Sequence, residues 1–174
     1  MAGLYLPAGV PGKLVASEVT VKLNLGCGTV ILPKDDGWLN LDIVEGPGVD
    51  IVHDLDQPPW PFPIATFDQV LAEDIFEHVE DPINFMVQCW RVLKWDGKLI
   101  LRTTHWKEKN AYTDPTHRRF PTEETFDYWI AGTVLHQRHN LAYGGVSFRG
   151  EGYRRVGQEQ EFTLVKINVR NEAV

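Results

Sequence analysis

The chain has 174 residues, of which 43% are apolar and 11% aromatic, and these values fit one globular domain and exclude a disordered polyampholyte. Its 17 basic and 24 acidic side chains give a formal net charge of −7, and no apolar run approaches the roughly 18 residues of a membrane span. The N-terminal stretch lacks the order of a secretion signal, and two cysteines are too few for a disulfide framework. We therefore expect a soluble, cytoplasmic protein without a membrane partner.

The charge is unevenly distributed along the chain. Residues 35–81 contain thirteen acidic side chains and no lysine or arginine, whereas the remainder carries 17 basic against 11 acidic side chains. This division indicates a cationic ligand on one side of the domain and allows an anionic partner, such as nucleic acid, on the other. Two solvated surfaces without a partner would explain the same division.

The first part of the chain predicts an irregular segment followed by strands. Residues 1–18, which contain proline and glycine, form the predicted lead-in, and residues 19–174 form a single predicted domain. Short apolar or alternating runs predict four strands, at 19–25, 38–43, 49–53 and 67–72. Four prolines exclude a helix between the third and fourth strands.

The best-defined helix follows the fourth strand. Asp81 is the expected N-cap and Pro82 suits the first helical position. Five apolar side chains then share one face of the helix: Ile83, Met86, Val87, Trp90 and Leu93. Three further elements are expected: a strand at 98–102, a helix at about 122–131 inside a substrate-side segment 103–140, and a strand at 162–169 that pairs with a run near 145–148 or 153–156.

This order of elements predicts an α/β fold on a mostly parallel, twisted sheet with an antiparallel C-terminal strand. The first two crossovers are shorter than the roughly 10–12 residues that a crossover with its helix requires, so the helices on one face of the sheet should be reduced. An uncovered sheet face would leave apolar side chains in water. We therefore expect the lead-in, or a second copy of the chain in a homo-oligomer, to cover that face.

Two strand ends carry residues suited to a nucleotide-like ligand. Gly26-Cys27-Gly28 follows the first strand and lets backbone approach a ligand, although a simple tight turn would use the same residues. The third glycine of a dinucleotide-binding loop is absent, because Ile31 occupies its position. Asp42 ends the second strand, where a carboxylate can accept both hydroxyls of a ribose, and Asp54 ends the third.

An ordered set of motifs covers about half of the chain, from residue 21 to residue 103. The set comprises Trp60-Pro61-Phe62-Pro63, Phe67-Asp68, Glu77-His78-Val79, Asp81-Pro82, Trp90-Arg91-Val92-Leu93-Lys94 and Gly97-Lys98-Leu99-Ile100-Leu101. In this order the motifs resemble the small branch of the class I S-adenosylmethionine-dependent methyltransferases. The resemblance implies a Rossmann-like fold, S-adenosylmethionine (SAM) as cofactor, and methyl transfer as the reaction.

The resemblance also implies which residues bind the cofactor. The glycine-rich loop would hold the methionine part of SAM, Asp42 would bind the ribose hydroxyls, and Ile43 would pack on the adenine. The residues so implied are Asn24, Gly26, Cys27, Gly28, Asp42, Ile43, Asp54, Leu55 and Glu73. The chain departs from the family pattern at three places: Asn24 replaces an acid, Val30 replaces a third glycine, and Lys94-Trp95-Asp96-Gly97 replaces Lys-Pro-Gly-Gly.

Acceptor-binding groups in this family follow the fourth and fifth strands. We expect substrate contacts there from Asp74, His78, Trp106, Tyr112, Arg118 and Arg119. The candidates for acid–base catalysis are His105, Asp114 and His117, because histidine titrates near neutral pH and these residues lie on a long loop. Alternatively, Asp114 makes only a turn, and the His117 ring and the arginines have structural roles.

Neither metal nor redox chemistry is expected from the sequence. His136 and His139 have the spacing of half a metal site, but no cysteine or carboxylate stands near them at ligand spacing, so a surface pair is expected. Cys27 should be a small packing residue, since a redox role needs a second thiol.

The sequence thus predicts SAM-dependent methylation of a small or medium-sized acceptor by in-line displacement. The Asp/Asn-Pro-Pro-Tyr/Phe tetrapeptide that resembles amino-methylating enzymes is missing, because Gln57-Pro58-Pro59-Trp60 precedes the fourth strand instead of following it. Two alternatives stay open: a nucleic-acid methyltransferase, and a non-catalytic partner subunit that binds SAM.

Overall fold

The structure, a computed structural model, describes residues 20–167, so the predicted lead-in and the outer ends of the first and last predicted strands lie outside the described residues. Within this range the strands are β1 (Lys22–Leu25), β2 (Trp38–Asp42), β3 (Ile51–Val52), β4 (Phe67–Glu73), β5 (Leu93–Thr104), β6 (Phe148–Val156) and β7 (Glu159–Lys166). The helices of the same range are α1 (Pro82–Val92), α2 (Lys109–Thr113) and α3 (Val134–His139). None of the helices in the described part is long and apolar enough to cross a lipid bilayer.

The strands form one sheet in the order β3-β2-β1-β4-β5-β7-β6. The first five strands of this order run parallel, and β7 pairs antiparallel with both β5 and β6. The predicted α/β fold, with its mostly parallel sheet and antiparallel C-terminal strand, is therefore confirmed. Because β1 lies between β2 and β4, the strand order reverses at β1, and ligands of open α/β sheets bind at such a reversal.

One face of the sheet forms the core together with α1. The strand residues on this face are almost completely buried: Leu23, Leu25, Leu41, Val70, Leu99 and Leu101. α1 begins as predicted, because the Asp81 carboxylate accepts hydrogen bonds from the backbone N–H groups of Ile83 (3.0 Å) and Asn84 (2.9 Å). Phe85, Met86, Cys89 and Val92 of α1 are buried against the strands.

A row of charged side chains crosses the opposite face of the sheet. Strand register places Glu73, Arg102, Glu161 and Arg154 side by side on β4, β5, β7 and β6. Ion pairs join Glu73 to Arg102 (3.1 Å), Arg102 to Glu161 (2.6 Å) and Glu161 to Arg154 (2.7 Å). The expected cover concerns the other half of the sheet, where the crossovers are short, and the homo-oligomer stays a prediction.

The segment 122–131, predicted as a helix, is instead a single 3₁₀ turn at Thr125–Tyr128. The Thr125 hydroxyl accepts a hydrogen bond from the Thr122 N–H (2.8 Å), and such local bonds compete with an α-helix. Backbone pairing then removes the following residues from any helix, because Phe148 N–H donates to Trp129 O and Ala131 N–H donates to Phe148 O, both at 2.8 Å. Tertiary pairing with β6 thus overrides the local preference.

Candidate functional site

Three strands end at the same level and bring their following loops together. Leu25 at the end of β1 pairs with Leu41 of β2 on one side and Ala72 of β4 on the other. The Cys27 N–H donates to Leu41 O (2.9 Å), so the loop after β1 is fastened to β2. The predicted cofactor loop, the end of β2 and the segment after β4 therefore share one edge of the sheet.

Glycine is required at the two positions of this loop for different structural reasons. Both are left-handed, with φ of 60° at Gly26 and 49° at Gly28, a conformation that other residues rarely adopt. A side chain at Gly26 would overlap Ile75, whereas a Cβ at Gly28 would have no atom within 4 Å. Gly26 is thus needed for packing inside the protein, and Gly28 leaves the loop open to an approaching ligand.

Asp42 links the loop to the end of β2. One carboxylate oxygen accepts the Gly28 N–H (2.7 Å) and the other accepts the Val44 N–H (2.9 Å). Each oxygen keeps a further lone pair, so both can accept a hydroxyl proton of a ribose. Ile43 beside it is 61% exposed and offers an apolar surface for a flat ring. The site thus combines an open glycine loop, two acceptor oxygens on one carboxylate and an exposed aliphatic side chain. These features fit a ligand that contains an adenosine group.

Asn24 fastens the loop rather than facing outward. Its amide nitrogen donates to Val30 O (2.9 Å) and to Asn40 Oδ1 (3.0 Å). Asn40 in turn holds Leu32 through two backbone bonds of 2.9 Å. An ionised acid at position 24 could make neither donation, which accounts for this departure from the family pattern. The sequence analysis did not identify Asn40; its signal is a polar residue at a buried strand position.

The remaining residues predicted to bind the cofactor have partners within the protein. Asp54 accepts the N–H of Asp56 (2.9 Å), and Leu55 is half-buried with its carbonyl accepting the indole N–H of Trp60 (3.0 Å). Glu73 is paired with Arg102 in the row of charged side chains across the sheet. Asp54 and Leu55 line the end of β3 as expected, whereas Glu73 belongs to the ion-pair ladder.

A depression of about 540 Å³ lies beyond β4 and β5, at the same edge of the sheet. Its lining residues are Asp74, Thr104, Asn110, Thr113, Asp114, Pro115 and His117. Asp74 follows β4 with a left-handed φ of 51°, which turns the chain sharply after the strand. The predicted residues Asp74, Asp114 and His117 are therefore brought together around one space.

The pKa of Asp74 departs from the ordinary value of an aspartate, because the surrounding protein partly desolvates its carboxyl group even though the residue lies at the surface. Burial of its carboxyl group, followed by the negative charges of Glu77, Glu159 and Glu73, raises the pKa of Asp74 to about 6, and His117 opposes the rise. A carboxyl group with this pKa changes charge close to neutral pH. Asp74 is thus able to take up a proton in the depression, a role that the sequence analysis did not assign to it.

The raised pKa predicts a stabilising substitution. Between about pH 4 and 6 the folded chain holds a proton that the unfolded chain has lost, so the free energy of unfolding falls as pH rises through this window and stays lower above it. Asp74→Asn should therefore raise Tm by roughly 1–3 °C at pH 7 and leave it unchanged at pH 4. Thermal unfolding at both pH values, with the exposed Asp36→Asn as control, tests this. A lower Tm for Asp74→Asn at pH 7 would contradict the assignment.

Glu77 is a buried acid that the sequence analysis did not single out. It is 1% exposed, its Oε1 accepts the Thr104 N–H (3.2 Å), and its carbonyl accepts the Arg118 N–H (2.8 Å). Its Oε2 has no hydrogen-bond partner among the described residues. The signal in the sequence is an acid inside the apolar run 75–79. Glu77 holds the end of β5 and contributes negative charge to Asp74.

His105 and Trp106 lie apart from the depression, and both contact Glu123. His105 is 1% exposed; its Nε2 is 3.2 Å from Glu123 Oε1, and its Nδ1 accepts the Lys107 N–H at 3.2 Å. The Trp106 indole N–H donates to Glu123 Oε2 (3.3 Å). A hydrogen bond from its own backbone N–H, followed by the bond from His105, lowers the pKa of Glu123 to about 2. With both ring nitrogens engaged, His105 fits a structural role, not the predicted catalytic one.

The two arginines predicted to contact the substrate are also engaged within the protein. Arg119 donates to Phe76 O (2.7 Å) and to Glu80 O (3.3 Å), and burial lowers its pKa. Arg118 forms an exposed ion pair with Glu80 (2.8 Å). Tyr112 is 60% exposed and stacks on Phe120. These three residues do not line the depression.

The other sequence candidates have ordinary surroundings. His136 is buried, with its Nε2 2.9 Å from Ser147 Oγ, whereas His139 is exposed, so the expected surface pair is wrong for His136. Burial, followed by the charge of Asp42, raises the pKa of the Cys27 thiol, which keeps it protonated.

Comparison with known proteins agrees with this geometry. A family model described as a methyltransferase domain matches residues 40–101. A SAM-dependent methyltransferase from Archaeoglobus fulgidus has the same fold, with a TM-score of 0.62 and 17% identity over 84% of this chain and 86% of that chain. No curated protein sequence matches the chain significantly.

Two further solved structures share the fold. One is a methyltransferase from Burkholderia thailandensis with bound 1,6-didemethyltoxoflavin and S-adenosylhomocysteine, with a TM-score of 0.58 and 16% identity over 85% of this chain and 71% of that one. The other is a methyltransferase in complex with the Haloferax volcanii Trm112 activator, with a TM-score of 0.59 and 11% identity over 87% and 84% of the two chains.

The sheet order and the loop after β1 define the fold of the class I methyltransferases. Together with the methyltransferase-domain match over residues 40–101, they confirm the predicted resemblance to the class I SAM-dependent methyltransferases. Solved proteins of this fold are SAM-dependent, and one of them holds S-adenosylhomocysteine; SAM as the cofactor of this chain and the acceptor of the methyl group belong to the proposal below.

Proposed function

We propose that the chain methylates a small or medium-sized acceptor bound in the depression beyond β4 and β5. The depression carries this proposal, because it lies at the same sheet edge as the cofactor loop and collects the polar side chains of Asp74, Asp114 and His117. The solved neighbour that holds 1,6-didemethyltoxoflavin supports a small acceptor on this fold. We also propose a cytoplasmic location, which the unpaired, buried thiols of Cys27 and Cys89 support.

When bound, SAM supplies a methyl group activated by a sulfonium charge. The protein's own residues orient the partners for an in-line displacement, in which alignment gives most of the rate enhancement. Asp42 would fix the ribose, the open loop at Gly28 would hold the methionine part, and the acidic segment 35–81 favours a cationic cofactor. Asp74, with its pKa of about 6, would take the proton of an acceptor that must lose one.

His117 should orient the acceptor, because it lines the depression and its Nδ1 lies 2.9 Å from Ala111 O. The carbonyl can only accept, so Nδ1 carries the proton and Nε2 is free to accept a hydrogen bond from the acceptor. His117→Ala should lower turnover roughly tenfold, the loss of one such bond, and leave SAM affinity unchanged. Steady-state kinetics and SAM-binding calorimetry test this; unchanged turnover would remove His117 from the site.

Methyl transfer from radiolabelled SAM to separate metabolite, protein and nucleic-acid pools tests the proposed acceptor class. We expect label in the metabolite pool. Label in RNA or DNA, with an affinity that falls steeply as salt is added, would favour the nucleic-acid alternative instead. SAM binding without transfer to any pool would favour the non-catalytic partner subunit.

A further inference from the structure

Three potential metal ligands from two separate segments meet at the rim of the depression. His78 follows β4, whereas Asp114 and His117 belong to the loop after α2. One nitrogen of each imidazole and one oxygen of the carboxylate lie within 4.8 Å of one another. Within the described residues, this is the only group of three histidine, cysteine or acidic side chains with such spacing.

Hydrogen bonds determine which nitrogen of each imidazole ring carries the proton. The Nδ1 of His117 donates to Ala111 O (2.9 Å), which leaves its Nε2 with a free lone pair. The Thr116 hydroxyl gives its single proton to Asp114 Oδ1 (2.6 Å), since a carboxylate only accepts. It therefore accepts from Nδ1 of His78 (2.9 Å), and the Nε2 of His78 is free as well.

This pattern is the one that metal-binding histidines show. A histidine that binds a metal through one nitrogen commonly donates its other N–H to a carbonyl, carboxylate or similar group, which fixes the ring and its tautomer. Ala111 O accepts the Nδ1–H of His117, and the Thr116 hydroxyl accepts that of His78. The same hydroxyl donates its proton to Asp114. Hydrogen bonds from the Thr116 hydroxyl and backbone N–H lower the pKa of Asp114, so its carboxylate is ionised at neutral pH.

We propose that His78, Asp114 and His117 bind a divalent transition-metal ion, for which Zn²⁺ is the reference. Two imidazoles and one carboxylate form the protein donor set of catalytic zinc sites, which keep one position open, whereas Mg²⁺ and Ca²⁺ prefer oxygen ligands. Zinc bonds of about 2.0–2.1 Å place ligand atoms roughly 3.3 Å apart, so the exposed Asp114 loop must close inward on binding. This proposal departs from the sequence analysis, which expected no metal ligands.

The position of this site gives the metal a place near the acceptor. Asp114 and His117 line the depression, so the open position of a bound ion would be available to an oxygen or nitrogen of the acceptor. In the metal-bound chain the ion would use the Nε2 lone pair of His117, and the acceptor would be oriented through the ion instead of by a direct hydrogen bond to His117. Metal binding itself does not depend on the proposed function, because all three ligands belong to the protein.

Calorimetric titration of the chelator-treated full chain with Zn²⁺, and the absorption spectrum with Co²⁺, test the proposal. We expect one ion per chain, with Zn²⁺ affinity at least tenfold lower in His117→Ala, His78→Ala and Asp114→Asn. Thr116→Val, which removes the bridge between His78 and Asp114, should lower it about tenfold. The exposed His139→Ala should bind as the wild type does.

Zn²⁺ binding that is absent from the wild type, or equal in the wild type and the ligand variants, would overturn the proposal. Because Asp114 is exposed, Asp114→Asn should remain folded, which circular dichroism checks. The titration contains neither SAM nor an acceptor, so failure to bind Zn²⁺ leaves the proposed methylation unaffected. Conversely, a chain that binds Zn²⁺ but methylates no pool would count only against the proposed function.

Discussion

Asp42→Ala should weaken SAM binding by roughly 1–3 kcal/mol, which is about 5- to 150-fold in Kd. The substitution removes the charged acceptor proposed for the ribose hydroxyls. It also releases the N–H groups of Gly28 and Val44, which the carboxylate holds at 2.7 and 2.9 Å. Isothermal titration with SAM and with S-adenosylhomocysteine measures the loss for both molecules.

The exposed Asp36→Ala is the matched control for Asp42→Ala, because it removes the same charge from the same acidic segment without touching the loop. Its SAM affinity should stay within about twofold of the wild type, since an exposed charge contributes little at ordinary ionic strength. Equal affinities of Asp42→Ala and the wild type would contradict the placement of the ribose. Equal losses in both variants would mean that overall charge, not the hydrogen bonds, binds the cofactor.

Phe76→Ala should be the most destabilising of the substitutions considered, at about 3–5 kcal/mol. Phe76 is 1% exposed and contacts Phe126 (4.8 Å between ring centroids), Phe85 (6.0 Å) and Trp129 (6.4 Å). It thus joins the segment after β4 to α1 and to the turn at Thr125–Tyr128. Because total stabilities are commonly about 5–15 kcal/mol, much of the stability would be lost.

Equilibrium unfolding in urea measures this loss, because the midpoint of the transition and its dependence on urea concentration give the free energy of unfolding. Tyr112→Ala, which removes an aromatic side chain that is 60% exposed, should cost below about 1 kcal/mol and is the control. A loss below about 1 kcal/mol for Phe76→Ala as well would show that this aromatic cluster does not fix the acceptor side to the core.

The parts of the fold that sequence predicts are those with strong local signals. Asp81 and Pro82 mark the start of α1, and the apolar runs mark both ends of β2 and β4 within one residue and those of β1 within three. β5 is longer than predicted and begins at Leu93 directly after α1. The helix predicted at 122–131 is wrong, because the backbone of this segment pairs with Phe148, which lies far along the chain.

In the candidate site, too, the sequence predicts the features with local signals and misses those that depend on contacts between distant segments. The glycines of the loop and Asp42 stand at strand ends, which periodicity locates, so their proximity follows from the parallel sheet. The partners that engage His105 and Arg119 are Glu123 and two backbone carbonyls, which no spacing in the sequence reveals. The raised pKa of Asp74 likewise depends first on the desolvation of its carboxyl group in the folded chain and, among the charges, on Glu159, which lies far along the chain.

A crystal structure of the chain with S-adenosylhomocysteine tests the central claim most directly. We expect the ribose hydroxyls on the Asp42 carboxylate, the adenine against Ile43 and the homocysteine along Gly26–Gly28. Density for the ligand elsewhere, or a soaked crystal in which these residues contact only one another, would contradict the account.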